Sequence, residues 1–243
     1  MTLPEIAALL GLNLVLSLAA MSAAWAVAWK TGRWGLVDGM WPLAMLLTAA
    51  ATFLIVDGDP VRKGLLIWLA GVWAAREAWR GFSPRIRAGA DVRYALAFEG
   101  RTGFRATAAA PLLLCFLPQG ALAWLIALPA QLGQVKFEPG VGWPGWAGAV
   151  LAVAGLAVAG LGDLRRATVR REPPAVRPMS GRGWRRWMER PDYVGDIALW
   201  WGLFLIAAET GPGRWSVIGP VFLTLALAHW VKTENPRRVS DGG

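Results

Sequence analysis

The residues best suited to chemistry are concentrated in one segment, Gly183–Gly202, GWRRWMERPDYVGDIALWWG. Its first half is rich in arginine, and its second half places Asp192, Tyr193 and Asp196 at the start of an apolar stretch. Arginine binds phosphates and carboxylates through paired, charge-assisted hydrogen bonds. The segment therefore predicts a polar pocket at the mouth of a membrane bundle, where an anionic cofactor could bind.

Ionisable side chains also lie at the ends of three other apolar stretches. They are Asp38 before the second stretch, Arg76 and Glu77 after the third, and Asp163 with Arg165 and Arg166 after the fifth. Charge in hydrocarbon is costly, so such groups usually face a site or pair with one another. Alternatively, each acid caps a helix or pairs with a neighbouring arginine. The occurrence of four such places on one side of the membrane favours a shared site.

These groups must be positioned by membrane helices, because the chain is strongly apolar. Of its 243 residues, 56% are hydrophobic, and the mean hydropathy is +0.42. Apolar runs of about 20 residues have the length that a helix needs to cross the hydrocarbon core of a bilayer. The composition predicts an all-α integral membrane protein that forms a single domain over residues 1–243.

Hydropathy predicts a bundle of seven transmembrane helices. Their approximate ranges are 6–29, 35–56, 61–79, 105–129, 143–162, 196–209 and 214–231. Two longer segments, 80–104 and 163–195, are expected to be cytoplasmic loops that fold over one mouth of the bundle. The first apolar run is not expected to be a cleaved signal peptide, because no cation precedes it and Lys30 follows it.

The distribution of charge predicts the orientation of the bundle. Lys and Arg accumulate in cytoplasmic loops, and all but four of the 25 fall in segments 30–34, 76–105, 163–195 and 232–243. This pattern predicts an N-terminus outside and a C-terminus in the cytoplasm. The net charge of +9 then reflects topology and contact with anionic membrane lipids, and binding to nucleic acid is not expected.

The sequence lacks the standard motifs of soluble cofactor sites and metal sites. It has no glycine-rich dinucleotide fingerprint, no phosphate-binding loop and no HExxH pair. Its one histidine, His229, cannot build a zinc site without further ligands, so no metal is predicted. Its one cysteine, Cys115, lies in an apolar run and is expected to serve in packing.

Motifs spread over residues 30–225 resemble those of the steroid 5-alpha reductase superfamily, in its bacterial branch of uncharacterised membrane proteins. The C-terminal similarity lies in Gly183, Trp184, Arg186, Pro191, Tyr193, Gly195 and Asp196, then LWWG at 199–202 and IGP at 218–220. Other similar stretches are Trp34–Trp41 with Asp38, DVRY at 91–94, Pro118–Gln131 and Asp163. The Pro-x-Tyr-x-Gly core is also similar to that of isoprenylcysteine carboxyl methyltransferase.

The resemblance implies a seven-helix reductase of the bacterial inner membrane that takes NADPH from the cytoplasm. Its substrate would be a lipophilic enone, steroid-like or isoprenoid, whose carbon–carbon double bond is reduced. The cofactor would contact Asp163, Arg166, Arg170, Arg186, Asp192, Tyr193 and Asp196. The acid that polarises the substrate carbonyl would come from the N-terminal half, where Asp38, Glu77 and Tyr94 are the candidates.

The chain departs from that family pattern at several positions. Relatives usually have Arg-His where this chain has Glu189 and Arg190, Asn at position 192 and Glu at position 196. Replacing an amide by the carboxylate of Asp192 removes two donors and adds a negative charge near the expected phosphates. The family's Arg- and Tyr-rich tail is also replaced by KTENPRRVSDGG at 232–243.

Two other functions therefore stay open beside the reductase. One is a catalytically degenerate member of the same fold that serves as a structural or accessory subunit of a larger membrane complex. The other is a membrane methyltransferase that uses S-adenosylmethionine. The partners expected are membrane lipids together with a lipophilic small molecule or, for the accessory role, other membrane subunits.

Overall fold

The computed structural model of the chain describes residues 1–98, 109–136, 139–169, 187 and 190–233. Over these residues the regular structure is entirely helical. The helices are α1 (Leu3–Thr31), α2 (Leu36–Ile55), α3 (Pro60–Phe82), α4 (Pro84–Phe98), α5 (Ala109–Ile126), α6 (Leu128–Leu132), α7 (Trp143–Val169), α8 (Pro191–Ala207) and α9 (Ile218–Thr233). A 3-10 turn, Pro212–Val217, leads into α9.

Local sequence signals account for several of the helix ends. Helix α1 begins with a capping box formed by Thr2 and Glu5, and it ends at Gly32, whose φ of 68° is the left-handed conformation that glycine adopts without strain. Helix α3 is capped by Asp59, whose carboxylate accepts a 2.7 Å hydrogen bond from the backbone N–H of Arg62. These caps satisfy backbone groups that a helix end leaves without partners.

Five helical segments within the described part of the chain are long and apolar enough to cross a membrane. They are Leu3–Thr31, Leu36–Ile55, Ala109–Ile126, Trp143–Leu164 and Pro212–Lys232. The prediction of an all-helical integral membrane protein is thus supported by five of the seven expected spans. The other two expected spans correspond to α3, which carries five charged side chains, and to α8, which has only 17 residues.

Two boundaries differ from those predicted. The segment 80–104 was expected to be a loop, but it contains helix α4. A single glycine, Gly89, does not prevent the helix, because glycine inside a helix costs only about 1 kcal/mol relative to alanine. The segment 163–195 is also partly helical, since α7 continues to Val169 and α8 begins at Pro191. As a result, Asp163 and Asp192 lie within helices.

Helices α7 and α8 approach each other along a seam of glycines. A Cβ atom added to Gly155 would lie 2.5 Å from the backbone oxygen of Gly195, and one added to Gly148 would lie 2.6 Å from that of Gly202. Side chains larger than hydrogen would therefore push the two backbones apart. Small residues allow this kind of close helix contact in membrane bundles, and here it brings the end of α7 against the start of α8.

A second close contact joins α2 to α3 at the same end of the bundle. A Cβ atom on Gly81 would lie 2.6 Å from the Cα atom of Gly39. The backbone carbonyl carbon of Asp38 lies 2.8 Å from the same Cβ position, so the start of α2 packs directly on the end of α3. The two glycine contacts thus bring four helix ends together.

The opposite end of α3 is anchored by a buried arginine. Arg62 has no exposed surface, and its guanidinium donates to the carbonyl oxygens of Gly133 at 2.9 Å, Lys136 at 2.5 Å and Pro139 at 2.5 Å. These three carbonyls belong to the segment that follows α6. Arg62 therefore fastens the start of α3 to that segment through backbone oxygens.

Candidate functional site

Arg76, near the end of α3, binds carboxylates from two other helices. Its Nε atom donates to Asp163 of α7 at 2.7 Å, and its Nη1 atom donates to Asp196 of α8 at 3.1 Å. The same Nη1 atom also donates to the neighbouring Glu77 at 2.7 Å, and Nη2 donates to the carbonyl of Ala159 at 3.1 Å. Arg76 is therefore the point at which α3, α7 and α8 are joined.

Arg80 lies one turn further along α3 and contacts the same group of acids. Its Nη1 atom donates to Glu77 at 2.8 Å, and its Nε atom lies 3.2 Å from Asp163. Its Nη2 atom lies 3.8 Å from Asp192 of α8. Asp163 is thus held by both arginines, one at each carboxylate oxygen, through charge-assisted contacts.

Arg190, just before α8, adds a third cation. Its Nε atom lies 3.5 Å from the carboxylate of Asp192, which has no exposed surface. The Arg190 guanidinium also lies 3.8 Å from the centre of the Tyr193 ring, a cation–π contact. We call Arg76, Glu77, Arg80, Asp163, Arg190, Asp192 and Asp196 the charged cluster.

Tryptophans form the layer beneath the charged cluster. The indole N–H of Trp73 donates to Asp196 at 3.0 Å, and the Trp73 ring packs edge-on against Trp41 and Trp200, with ring centres 6.0 Å and 5.1 Å away. This aromatic layer separates the charges from the apolar interior. The cost of placing Asp196 there is reduced by its hydrogen bonds from Trp73 and Arg76.

Asp38, at the start of α2, forms a separate hydrogen-bonded pair. The Tyr94 hydroxyl of α4 donates to its carboxylate at 2.9 Å, and Arg93 lies 3.7 Å away. Burial and the neighbouring Asp38 carboxylate raise the pKa of the Tyr94 hydroxyl, so the phenol stays protonated at neutral pH. Tyr94 therefore acts as a fixed hydrogen-bond donor to Asp38.

A cleft of about 470 Å³ opens between the Asp38 pair and the charged cluster. This volume is in the range of small-molecule sites. The cleft combines acids, guanidinium groups and aromatic rings, and it is lined by Asp38, Glu77, Arg80, Gly81, Ile86, Arg93, Arg190, Tyr193 and Trp230. Helices α2, α3, α4, α8 and α9 all contribute to it.

Most of the sequence-predicted site residues lie together at this end of the bundle. Asp38, Glu77 and Tyr193 line the cleft, and Tyr94 reaches it through Asp38. Asp163, Asp192 and Asp196 lie in the charged cluster. Arg166 is on α7, with its side chain outside the described part of the structure, and Arg170 and Arg186 lie outside the described residues.

Four residues of this site escaped the sequence-based prediction. Arg80 and Arg93 lie in the segment expected to be a loop, and Arg190 and Trp230 are not among the expected site residues. The four-residue spacing from Arg76 to Arg80 does indicate two cations on one helix face. No comparable local signal marks Arg93 or Trp230, because their partners are distant in the chain.

The described residues contain no group of three or more His, Cys, Asp or Glu side chains arranged to hold a metal ion. The acids of the charged cluster face guanidinium groups instead. The chemistry available within this part of the chain is therefore that of carboxylates, guanidinium groups, a phenol and indoles.

Fold and site together define a helical membrane protein with an ion-paired cluster and a cleft at one end of its bundle. Residues 24–237 match the family described as "Protein of unknown function (DUF1295)", so the chain belongs to this family. No curated protein and no solved structure matches the chain.

Proposed function

We propose that the protein is a membrane-embedded, NADPH-dependent reductase of a carbon–carbon double bond in a lipophilic enone, steroid-like or isoprenoid. The observation that carries the proposal is the composition of the cleft, which combines carboxyl groups, guanidinium groups and aromatic rings at one end of a bundle of apolar helices. Such a cleft can bind a charged cofactor beside a lipid-soluble substrate. The superfamily resemblance of the motifs adds to this support.

The donor set of the cleft fits an anionic cofactor. Arg80 is committed to Glu77 and Asp163, but the side chain of Arg93 is 70% exposed and its contact with Asp38 is 3.7 Å long. Arg93 and Arg190 would therefore hold phosphate groups, with Tyr193 orienting the part of the cofactor next to Arg190. NADPH, when bound, supplies the hydride for the reaction.

The carboxylate of Asp192 is partly offset by two arginines. It lies between Arg80 and Arg190, at 3.8 Å and 3.5 Å. The charged cluster as a whole contains four acids and three arginines, but the residues that line the cleft include three arginines and two acids. The cleft itself therefore keeps an excess of positive formal charge for an anionic cofactor.

The substrate carbonyl would be polarised by an acid that lines the cleft. Asp38 and Glu77 line the cleft, and the Tyr94 hydroxyl fixes the position of Asp38. A positioned acid beside a carbonyl oxygen lowers the barrier for reduction of the conjugated double bond. Tyr94 is a positioning residue in this arrangement.

The proposal includes the membrane topology that the charges predict. The chain would cross a bacterial inner membrane seven times, with its N-terminus outside. In this orientation the cleft would open to the cytoplasm, where NADPH is available. Helix α3 would cross within the bundle, where Arg76 and Arg80 face acids of neighbouring helices. Intramembrane charges that face protein partners are tolerated in this way.

One observation favours the accessory role as a second candidate. Arg76 and Arg80 are already paired with acids of the same chain, and these ion pairs act as an internal brace: they hold α3, α7 and α8 together. A degenerate member of the fold would keep this brace without binding a nucleotide. Such a subunit would co-purify in fixed proportion with membrane partners.

Nucleotide binding to the purified protein tests the reductase directly. We expect NADPH to bind to the protein reconstituted in a lipid nanodisc. Arg190→Ala or Arg93→Ala should weaken that binding about tenfold or more, which is the loss expected for one charge-assisted contact. The matched control is Arg33→Ala, which removes an exposed arginine at the same end that does not line the cleft. Calorimetric titration measures each affinity.

Three outcomes separate the candidates. NADPH binding that depends on Arg190 and Arg93, followed by NADPH oxidation on adding a lipophilic enone, supports the reductase. The absence of binding at millimolar NADPH overturns it, and a stoichiometric membrane complex without nucleotide then favours the accessory role. Binding of S-adenosylmethionine in place of NADPH favours the methyltransferase.

A further inference from the structure

Trp230 lies near the end of α9 and lines the candidate site. A tryptophan near the end of an apolar helix is usually part of the belt at the membrane interface. In the structure Trp230 lines the same cleft as Arg93 and Arg190, and it is 62% exposed. The ring is therefore a wall of the candidate site.

The other aromatic ring of the cleft belongs to Tyr193. The guanidinium of Arg190 lies 3.8 Å from the centre of the Tyr193 ring, so one face of that ring is covered. Trp230 belongs to α9, whereas Tyr193 belongs to α8. The two aromatic residues thus contribute to the cleft from different helices, and Trp230 offers the larger surface.

A flat indole beside guanidinium groups has the chemistry of a nucleotide site. Guanidinium groups bind phosphates, and aromatic rings stack on bases through their faces. We propose that Trp230 stacks on the adenine ring of a nucleotide bound in the cleft. The inference rests on the proposed function, because it requires an adenine-containing ligand in the cleft. Both NADPH and S-adenosylmethionine contain adenine, so the stacking role does not depend on which of the two binds.

The experiment compares two ligands that share a diphosphate and differ in the adenosine. ADP and inorganic pyrophosphate are titrated into wild-type protein, Trp230→Ala and Trp230→Phe. We expect Trp230→Ala to weaken ADP about tenfold, as expected for the loss of one base–aromatic stack, and to leave pyrophosphate binding unchanged. Trp230→Phe should restore most of the affinity because a phenyl ring also stacks.

The matched control is Trp79→Ala. Trp79 is 82% exposed, immediately precedes Arg80 on α3 and does not line the cleft. Its loss tests whether removing any exposed tryptophan at this end changes nucleotide affinity. Unchanged thermal unfolding of Trp230→Ala in detergent would show that a change in ADP affinity is local to the cleft.

NADPH and S-adenosylmethionine are titrated in parallel, so that failure of this inference differs from failure of the reductase proposal. If NADPH binds and Trp230→Ala leaves ADP affinity unchanged, the stacking role is overturned and the reductase proposal stands. If S-adenosylmethionine binds in place of NADPH and the Trp230 effect persists, the stacking role stands and the reductase is overturned. If no adenine nucleotide binds wild-type protein, both are overturned.

Discussion

Arg62 and Arg76 lie at opposite ends of the same helix, α3, and both are withdrawn from solvent, but their partners differ. Arg62 is surrounded by backbone carbonyls of one neighbouring segment, whereas Arg76 is bound by the carboxylates of Asp163, Asp196 and Glu77. Backbone carbonyls are fixed by the fold and carry no net charge. Carboxylates can exchange protons or partners, so the Arg76 end is suited to a site and the Arg62 end to an anchor.

The largest effect on stability should come from Arg62→Ala. The change leaves the buried carbonyl of Gly133 and the partly buried carbonyls of Lys136 and Pro139 without their donor, and we expect the free energy of unfolding to fall by about 3 kcal/mol or more. Arg214→Ala, an exposed arginine at the same end, should change it by about 0.5 kcal/mol or less. Unfolding in mixed detergent measures both, and a larger effect of Arg62→Ala on nucleotide affinity than on stability would contradict its role as an anchor.

Arg76→Ala should have a smaller effect on stability, with a dependence on pH. Asp163 and Asp196 would lose a shared cation, but Arg80 still contacts Asp163 and the Arg76 side chain is 15% exposed, so we expect a loss of about 2 kcal/mol, as for hydrogen bonds to charged groups. Carboxylates that have lost their cation are stabilised by protonation. The loss should therefore be smaller at about pH 5 than at about pH 8.

The conservative variant sharpens this comparison. Arg76→Lys keeps the charge and should recover part of the stability, although one ammonium cannot reach three helices as the guanidinium fork does. Arg62→Ala should show a weaker pH dependence, because the hydrogen-bond partners shown for Arg62 are carbonyls and the carboxylates of Asp59 and Glu209 act on it only through their charge. Equal pH dependence in the two alanine variants would remove the distinction between the two ends.

The smallest effect should come from the seam that brings α7 and α8 together. Gly155→Ala places a methyl group against the backbone of Gly195, and we expect a loss of about 1 kcal/mol from the forced separation. Gly160→Ala is the control on the same helix, because a Cβ atom there meets nothing within 4 Å. That change should be neutral or stabilising by up to about 1 kcal/mol.

The Gly155 change also connects the packing to the site. Asp163 is carried by α7 and Asp196 by α8, so a wider seam separates two acids that Arg76 joins. We expect Gly155→Ala to weaken nucleotide binding and Gly160→Ala to leave it unchanged, measured by the same titrations. Equal affinities in the two variants would show that the seam does not set the geometry of the cleft.

Hydropathy predicted the main helices because a membrane span requires a long apolar run whatever its neighbours are. The same rule failed for α4, whose sequence is mixed in polarity and contains Gly89, and it was least informative for α3. Helix α3 contains several charged residues, so it is only partly apolar. Two of its charges, Arg76 and Arg80, are balanced by acids on α7 and α8. A window that sees only one helix cannot detect that compensation.

The sequence by itself determined that the chain is a helical membrane protein and that its acids and arginines gather at helix ends, because hydrophobic length and the cost of buried charge act locally along the chain. Only the tertiary structure decided which acid pairs with which arginine. The pairing of Arg76 with Asp163 and the presence of Trp230 in the cleft depend on contacts between residues that are 87 or more positions apart or on different helices. Such contacts follow from the glycine seams and the order of the helices, which no local pattern specifies.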